Sequence, residues 1–139
     1  MHLEKPYLAA SPDGIVVDES EENPGLLEIK CPMSKLPVDA LASQRKNFCL
    51  IMNEHGLKLN VNHQYYSQIQ MQMAVTGHMW TDFVVFTDTD DGPSVFVQRI
   101  QFSNIFWDAT EKCVSKFYEQ FVVLELLTRR VKRNKKLLP

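Results

Sequence analysis

The segment LLEIKC, residues 26–31, constrains the fold most, because it sets charged groups at regular positions in an otherwise apolar strand. Successive side chains of a strand point to opposite faces. One face therefore carries Glu28 and Lys30 next to Leu26. We expect the other face to pack into a core; it comprises Leu27, Ile29 and Cys31. Buried charges need partners, so Glu28 and Lys30 either pair with each other or bind a metal ion and a phosphate.

A further carboxylate precedes this strand in SPDG, residues 11–14. Ser, Pro, Asp and Gly in this order suit a type I turn, so Asp13 could simply close a hairpin between LAA and IVV. A Glu-x-Lys pair is also common as a solvated ion pair on an edge strand. The alternative is that Asp13 and Glu28 converge on one divalent cation with Lys30 beside them. That combination is typical of metal-dependent nucleases of the PD-(D/E)xK type.

The composition fits an ordinary soluble protein. The chain has 139 residues, of which 45% are hydrophobic and 23% charged, as expected for one globular domain spanning residues 1–139. Its three cysteines have no paired spacing, and an odd count argues against a disulfide framework. Neither a secretory signal nor a transmembrane segment is evident, because the uncharged residues 64–81 contain several glutamines. We expect an intracellular protein, in either the nucleus or the cytoplasm.

Positive charge is concentrated at the end of the chain, in a basic tail over residues 129–139. The stretch RRVKRNKK, residues 129–136, holds six of the fifteen basic residues. The rest of the chain has nine basic against seventeen acidic residues, a net charge of −8. Such an acidic body needs metal ions, the tail or a further segment to hold DNA. Alternatively, the tail is a solvated helix end, which the helix dipole favours.

Strand and helix patterns alternate and predict an α/β fold. LAA and GIVVD are expected to form a hairpin through SPDG, followed by a solvent-facing acidic loop, ESEENPG.

Further along the chain, residues 37–47 favour a helix. Apolar segments on both sides of NEHG, residues 53–56, predict a second hairpin, and those around TDDGP, residues 89–93, predict a third. A long final helix is expected to begin near Asp108, whose spacing to Glu111 fits a capping box.

The segment HQYYSQIQMQMAVTG, residues 63–77, predicts a helix that ends at Gly77. Four-residue spacing aligns Gln64, Gln68 and Gln72 on one face, where a surface helix would normally carry charges. These amides either form an internal packing face or reach into an active cleft, where they would orient a water molecule or a phosphate oxygen.

Four ordered segments together resemble the YqaJ-type viral recombinase domain, the group that includes phage lambda exonuclease. They are LAASPDGIV, LLEIKCP, YYSQIQMQMAVTG and WTDFVVFT. The resemblance covers roughly residues 7–88. It implies a restriction-endonuclease-like α/β core, with a mixed β-sheet flanked by helices.

The resemblance also implies a site. Asp13, Glu28 and the main-chain carbonyl of Ile29 would bind magnesium, with manganese as a substitute. Lys30 would help to activate the attacking water or steady the phosphate charge. Gln68 matches the family's helix glutamine, which assists at the active site. Because family members typically degrade double-stranded DNA from the 5′ end, the chain is expected to be a 5′–3′ exonuclease that acts in recombination or in the processing of viral or mobile-element DNA.

The implied partners are double-stranded DNA, further copies of the chain in a ring-shaped trimer, and a strand-annealing protein. In the family, a helical region before SPDG contributes an acid and basic groups that hold the 5′ end. Only twelve residues precede Asp13 here, so we expect a chain that lacks this N-terminal part. His2 and Glu4 lie too close to the first strand to replace it. The alternative function is a noncatalytic nucleic-acid-binding or assembly module that retains the nuclease fold.

Overall fold

The structure, a computed structural model, describes residues 5–133 and residue 136. It divides into two compact units, Met1–Ser103 and Asn104–Pro139. His2 and Glu4 lie outside the described residues, as does part of the predicted basic tail. None of the described helices is long and apolar enough to cross a membrane.

The first unit is built on a four-stranded sheet. Its elements are β1 (Gly14–Val16), β2 (Gly25–Lys30), α1 (Val38–Gln44), β3 (Leu50–Asn53), β4 (Gly56–Leu59), α2 (Gln64–Thr76), β5 (Trp80–Thr89) and β6 (Gly92–Gln101). The sheet order is β1-β2-β5-β6, and β3 and β4 form a separate hairpin. Strands β2 and β5 are parallel, whereas β1 and β6 pair antiparallel with their neighbours. The predicted mixed sheet with flanking helices is therefore confirmed.

Helix α2 packs against the central strands and forms the core with them. Its apolar residues Ile69 and Met73 are fully buried in one cluster with Leu26 of β2 and Phe83 of β5. The helix ends as predicted, because Gly77 adopts a left-handed conformation with φ 78° and its N–H donates to the carbonyl of Met73. The predicted second and third hairpins are also present, as β3-β4 and β5-β6.

The expected assignment of the two faces of β2 was wrong. Leu26 and Glu28 lie on the buried face and are 1% and 2% exposed, whereas Ile29 is 39% exposed and Cys31 lies at the surface. Alternation fixes which residues share a face, but the packing of α2 decides which face is inside. As a result, the carboxylate of Glu28 lies in the protein interior.

The predicted first hairpin was also wrong. LAA forms no strand, and β1 instead pairs with β2, with Gly14 opposite Leu27. The ladder extends to Asp13, whose N–H donates to the carbonyl of Leu27 over 3.0 Å. Although SPDG has turn-forming residues, the edge of β2 offers the chain a continuous set of hydrogen bonds. Asp13 therefore leads into a strand that adjoins Glu28.

The second unit begins with α3 (Asn104–Phe117), four residues before the predicted start at Asp108. The Asp108–Glu111 pattern therefore lies inside the helix and is not its cap. Helical structure continues through a π-helical turn (Tyr118–Val122), α4 (Val123–Thr128) and a short 3-10 helix (Val131–Arg133).

The acidic loop between β1 and β2 was expected to face solvent. In the structure it is anchored to the sheet. Asp18 and Glu21 accept hydrogen bonds from Arg99 of β6 over 2.8 and 3.0 Å. The same guanidinium donates to both carboxylate oxygens of Asp82 over 2.8 and 2.9 Å. It also lies 3.8 Å from the ring centroid of Trp80. These contacts fix the loop that connects β1 to β2.

The pKa of Asp18 predicts how acid affects this anchor. Hydrogen bonds from the side chain and backbone of Ser20, and then from Arg99, lower the pKa from 3.8 to about 2. Because the folded state has the lower pKa, the stabilisation is complete above about pH 4 and is lost as the pH falls towards 2. We expect Asp18→Asn to melt below the wild type at pH 6, with the difference shrinking below pH 4. A difference that is constant across thermal melts at these pH values would contradict this.

Gly25 lets Trp80 lie against the start of β2. A Cβ atom at Gly25 would lie 2.2 Å from the Trp80 ring, whereas one at Gly14 would meet only Leu27 at 3.6 Å. Gly25→Ala should therefore lower the free energy of unfolding by about 1–3 kcal/mol through overpacking. Gly14→Ala is the matched control and should change it by less than about 1 kcal/mol. Urea unfolding of both variants checks this; equal effects would mean that the ring moves aside freely.

Candidate active site

The pairing of β1 with β2 brings the two predicted carboxylates together. Gly14 lies opposite Leu27, and the N–H of the preceding Asp13 donates to the Leu27 carbonyl over 3.0 Å, so Asp13 lies beside the segment that contains Glu28. The Asp13 Oδ2 atom accepts a hydrogen bond from the main-chain N–H of Ile29 over 2.7 Å. This contact holds the exposed carboxylate of Asp13 against the main chain of the residue that follows Glu28.

Glu28 is the centre of a hydrogen-bond network. Its Oε1 atom contacts the Lys30 ammonium group and accepts a bond from Gln68 Nε2 over 2.6 Å. Its Oε2 atom accepts a bond from Gln72 Nε2 over 2.7 Å. Charge-assisted bonds of this kind are stronger than neutral ones, and they offset the cost of burying the carboxylate. Glu28 and Lys30 therefore form the mutual ion pair that was one of the two alternatives. The amides of Gln68 and Gln72 also bind the carboxylate.

Lys30 is held from three sides and still reaches solvent. Besides Glu28, its Nζ atom lies 3.4 Å from Gln68 Oε1 and 4.5 Å from the ring centroid of Tyr65. Its side chain is 20% exposed. The ammonium group is thus fixed by an anion, an amide dipole and an aromatic face while remaining accessible from outside.

Gln72 also contacts Glu28, although the family resemblance implied only Gln68 of the three aligned glutamines. The structure separates the three glutamines that share a face of α2: Gln68 and Gln72 contact Glu28, whereas Gln64 is exposed. The signal was present in the four-residue spacing from Gln68 to Gln72. Gln70, which points elsewhere, binds the carbonyl of Gln101.

The orientation of the Gln72 amide follows from its neighbours. Its Nε2 atom lies 2.7 Å from a Glu28 oxygen and 3.5 Å from the carbonyl of Ser11, and both of these groups can only accept. Its Oε1 atom is consequently buried without a hydrogen-bond partner. A buried amide oxygen of this kind usually has a partner, often water, so one beside the Glu28 carboxylate suits a hydrated ion.

These groups fit a hard divalent cation. Among the described residues, no group of three or more His, Cys, Asp and Glu side chains could hold a metal ion. Magnesium nevertheless needs only one or two carboxylates, because water and substrate phosphate complete its shell. Asp13, Glu28 and a main-chain carbonyl supply the oxygen ligands that it prefers, and the unpartnered Gln72 oxygen could accept from one of its waters.

A family model and two solved structures match this chain. A model of the YqaJ-like viral recombinase domain matches residues 1–79. The crystal structure of the alkaline exonuclease LHK-Exo from Laribacter hongkongensis matches with a TM-score of 0.57 and 31% identity, over 89% of this chain and 55% of that chain. LHK-Exo in complex with dAMP matches with a TM-score of 0.57 and 30% identity, over 89% and 54%.

No curated protein matches the chain. The chain spans little more than half the length of these solved structures. The three side chains that bond to Glu28, those of Lys30, Gln68 and Gln72, lie within the part matched by the domain family.

Proposed function

Because the chain belongs to the YqaJ-like viral recombinase domain family, we propose that its site hydrolyses phosphodiester bonds of double-stranded DNA with magnesium. The observation that carries the proposal is the convergence of Lys30, Gln68 and Gln72 on the buried carboxylate of Glu28 beside Asp13. A structural ion pair would also call for the two amides, so the second carboxylate, Asp13, which accepts a bond from the N–H of Ile29, is what favours a metal site.

Each side chain has a definite task in this mechanism. Asp13 and Glu28, with the Ile29 carbonyl, would hold the cation. The chemistry that magnesium supplies in such a site is polarisation of a phosphoryl oxygen and acidification of water. Lys30 brings positive charge to the place where the transition state gathers negative charge, and Gln68 keeps it there. Manganese has the same ligand preference and is a suitable substitute.

The finer proposal is a 5′–3′ exonuclease that acts in recombination or in viral or mobile-element DNA processing. Its support is the family resemblance and the similarity to LHK-Exo, an alkaline exonuclease that was crystallised with the mononucleotide dAMP. A ring-shaped trimer and a strand-annealing partner belong to the same proposal and rest on the family alone.

A noncatalytic nucleic-acid-binding module is the second candidate. The direct contact between Glu28 and Lys30 favours it, since such a pair satisfies both charges without a metal.

The two candidates differ in what they do to linear DNA. The experiment uses duplexes labelled at the 5′ or 3′ end, and a closed circle of the same sequence, each with magnesium or with chelator. The nuclease should release labelled mononucleotide from the 5′ end first, only with magnesium, and spare the circle. Salt-sensitive binding without cleavage would support the module, and cutting of the circle would support an endonuclease.

Gln72→Leu tests whether the added amide supports the site. Removing Gln72 takes the donor from Glu28 Oε2, and loss of such a supporting partner typically costs about 10–100-fold in activity or metal affinity. The free energy of unfolding should fall by about 1–3 kcal/mol, because the buried Glu28 Oε2 atom loses its donor. Gln64→Leu on the same helix is the control and should hydrolyse DNA normally. Equal rates for the two variants would exclude a supporting role.

A further inference from the structure

The region beside Lys30 contains a cleft that the proposed chemistry does not use. It has a volume of about 420 Å³, within the usual range for ligand sites. Its lining includes Lys30 and Tyr65, and also Arg45, Asn47 and His63. We infer that this cleft binds a second phosphate of the DNA strand, one that adjoins the phosphate under attack. The inference rests on the proposed function, whose scissile phosphate it extends.

The charge of the cleft suits a phosphate. None of its lining residues is Asp or Glu. A neighbouring cleft of about 330 Å³ shares Arg45, Asn47 and His63, adds Lys46, and likewise has no acid in its lining. Residues 1–103 as a whole contain seven basic against thirteen acidic residues. In this acidic unit, the two clefts that share Arg45 are therefore lined by Lys30, Arg45 and Lys46 and by no carboxylate.

Arg45 is the strongest candidate for the phosphate contact. Its main chain is fixed at the end of α1, where its N–H donates to the carbonyl of Leu41 over 3.0 Å. Its side chain is exposed, and among residues 5–133 no carboxylate forms an ion pair with it. By contrast, Lys30, Lys35 and Arg99 all have carboxylate partners. A free guanidinium group presents two parallel donors that match two phosphate oxygens.

His63 provides a neutral donor in the same cleft. Its Nδ1 atom accepts from the main-chain N–H of Tyr65 over 3.2 Å, so the ring proton lies on Nε2. Burial lowers the pKa of His63, which favours the neutral ring. The Nε2–H group can therefore donate to a phosphate oxygen without adding charge.

The cleft also has aromatic walls. Phe48 and Tyr65 line it together with the polar groups, and bases of single strands stack on such rings. Lys30 belongs both to the Glu28 network and to the cleft, so a strand with one phosphate at Lys30 can continue towards Arg45.

Binding of a labelled single-stranded oligonucleotide in chelator buffer tests this inference without cleavage. Arg45→Gln should weaken binding about tenfold, because a contact to a charged group contributes about 1.5 kcal/mol. It should also reduce the slope of log K against log salt by about 0.7, the value for one phosphate contact with a single strand. Arg45→Lys keeps the charge and should keep the slope. Since Arg45 is exposed, neither variant should affect folding.

Lys112→Gln is the matched control, since it removes the same charge from an exposed position on α3. Its affinity and slope should equal those of the wild type. Equal behaviour of Arg45→Gln and Lys112→Gln, or no binding of the oligonucleotide by the wild-type chain, would overturn the inference. The two proposals can fail independently. If Arg45→Gln weakens binding but the chain does not cleave DNA with magnesium, the phosphate-binding cleft is supported and the proposed function is not. If the chain cleaves DNA but Arg45→Gln binds normally, only the proposed function is supported.

Discussion

Glu28→Gln is expected to lower magnesium-dependent DNA hydrolysis by about a thousandfold or more. The variant removes the buried carboxylate on which the cation depends, and a loss of about 4 kcal/mol of transition-state stabilisation corresponds to this factor. Folding should survive. If the side-chain amide of Gln72 rotates by half a turn, its unpartnered Oε1 atom can accept a hydrogen bond from the amide nitrogen of the glutamine at position 28. The free energy of unfolding should therefore change by no more than about 1–2 kcal/mol.

The hydrolysis rate and the urea unfolding curve of the same preparation check this result. Glu54→Gln is the matched control, because it removes a carboxylate from the exposed tip of the β3-β4 turn. It should retain the wild-type rate. A Glu28→Gln variant that is folded and fully active would show that Glu28 has no part in the reaction.

Lys30→Met is expected to have the second largest effect, on both activity and stability. Loss of the ammonium group removes a positive charge from the developing transition state, which should cost about 100- to 1000-fold in turnover. It also leaves the carboxylate of Glu28 buried without its cation. Breaking a buried pair in this way typically costs about 3–5 kcal/mol in the free energy of unfolding.

The double variant Glu28→Gln/Lys30→Met separates these effects. It contains neither charge, so it should recover most of the stability that Lys30→Met loses, and it should remain inactive. Urea unfolding of the two single variants and the double variant gives the coupling free energy between the two residues. A coupling close to zero would mean that Glu28 and Lys30 do not depend on each other in the folded protein.

The sequence predicted the motifs of the site because they are local patterns. The alternation in LLEIKC correctly placed Glu28 and Lys30 on one face, and the spacing in α2 correctly grouped Gln68 with Gln72. Gly77 marked the end of α2 because the left-handed conformation found there favours glycine. The resemblance to the YqaJ-type domain is confirmed by the match over residues 1–79.

The errors concerned contacts between distant parts of the chain. Which face of β2 is buried depends on where α2 packs, and a strand pattern contains no such information. The residues of SPDG favour a local turn, but β1 pairs with the edge of β2 instead, and the local pattern does not reveal this. The role of Gln72 depends on Glu28 and Ser11, which both lie within 3.5 Å of its Nε2 atom and are distant from it in sequence.

Binding of a divalent ion at Asp13 and Glu28 is the central claim, and titration with manganese measures it most directly. Manganese shares the ligand preference of magnesium, and its paramagnetism lets free and bound ion be distinguished by electron paramagnetic resonance. The wild-type chain should bind the ion, and Asp13→Asn and Glu28→Gln should each bind it at least about tenfold more weakly, with Glu54→Gln unchanged. If the wild type and both site variants bind manganese equally, or none binds it, Asp13 and Glu28 do not form a metal site and the account is contradicted.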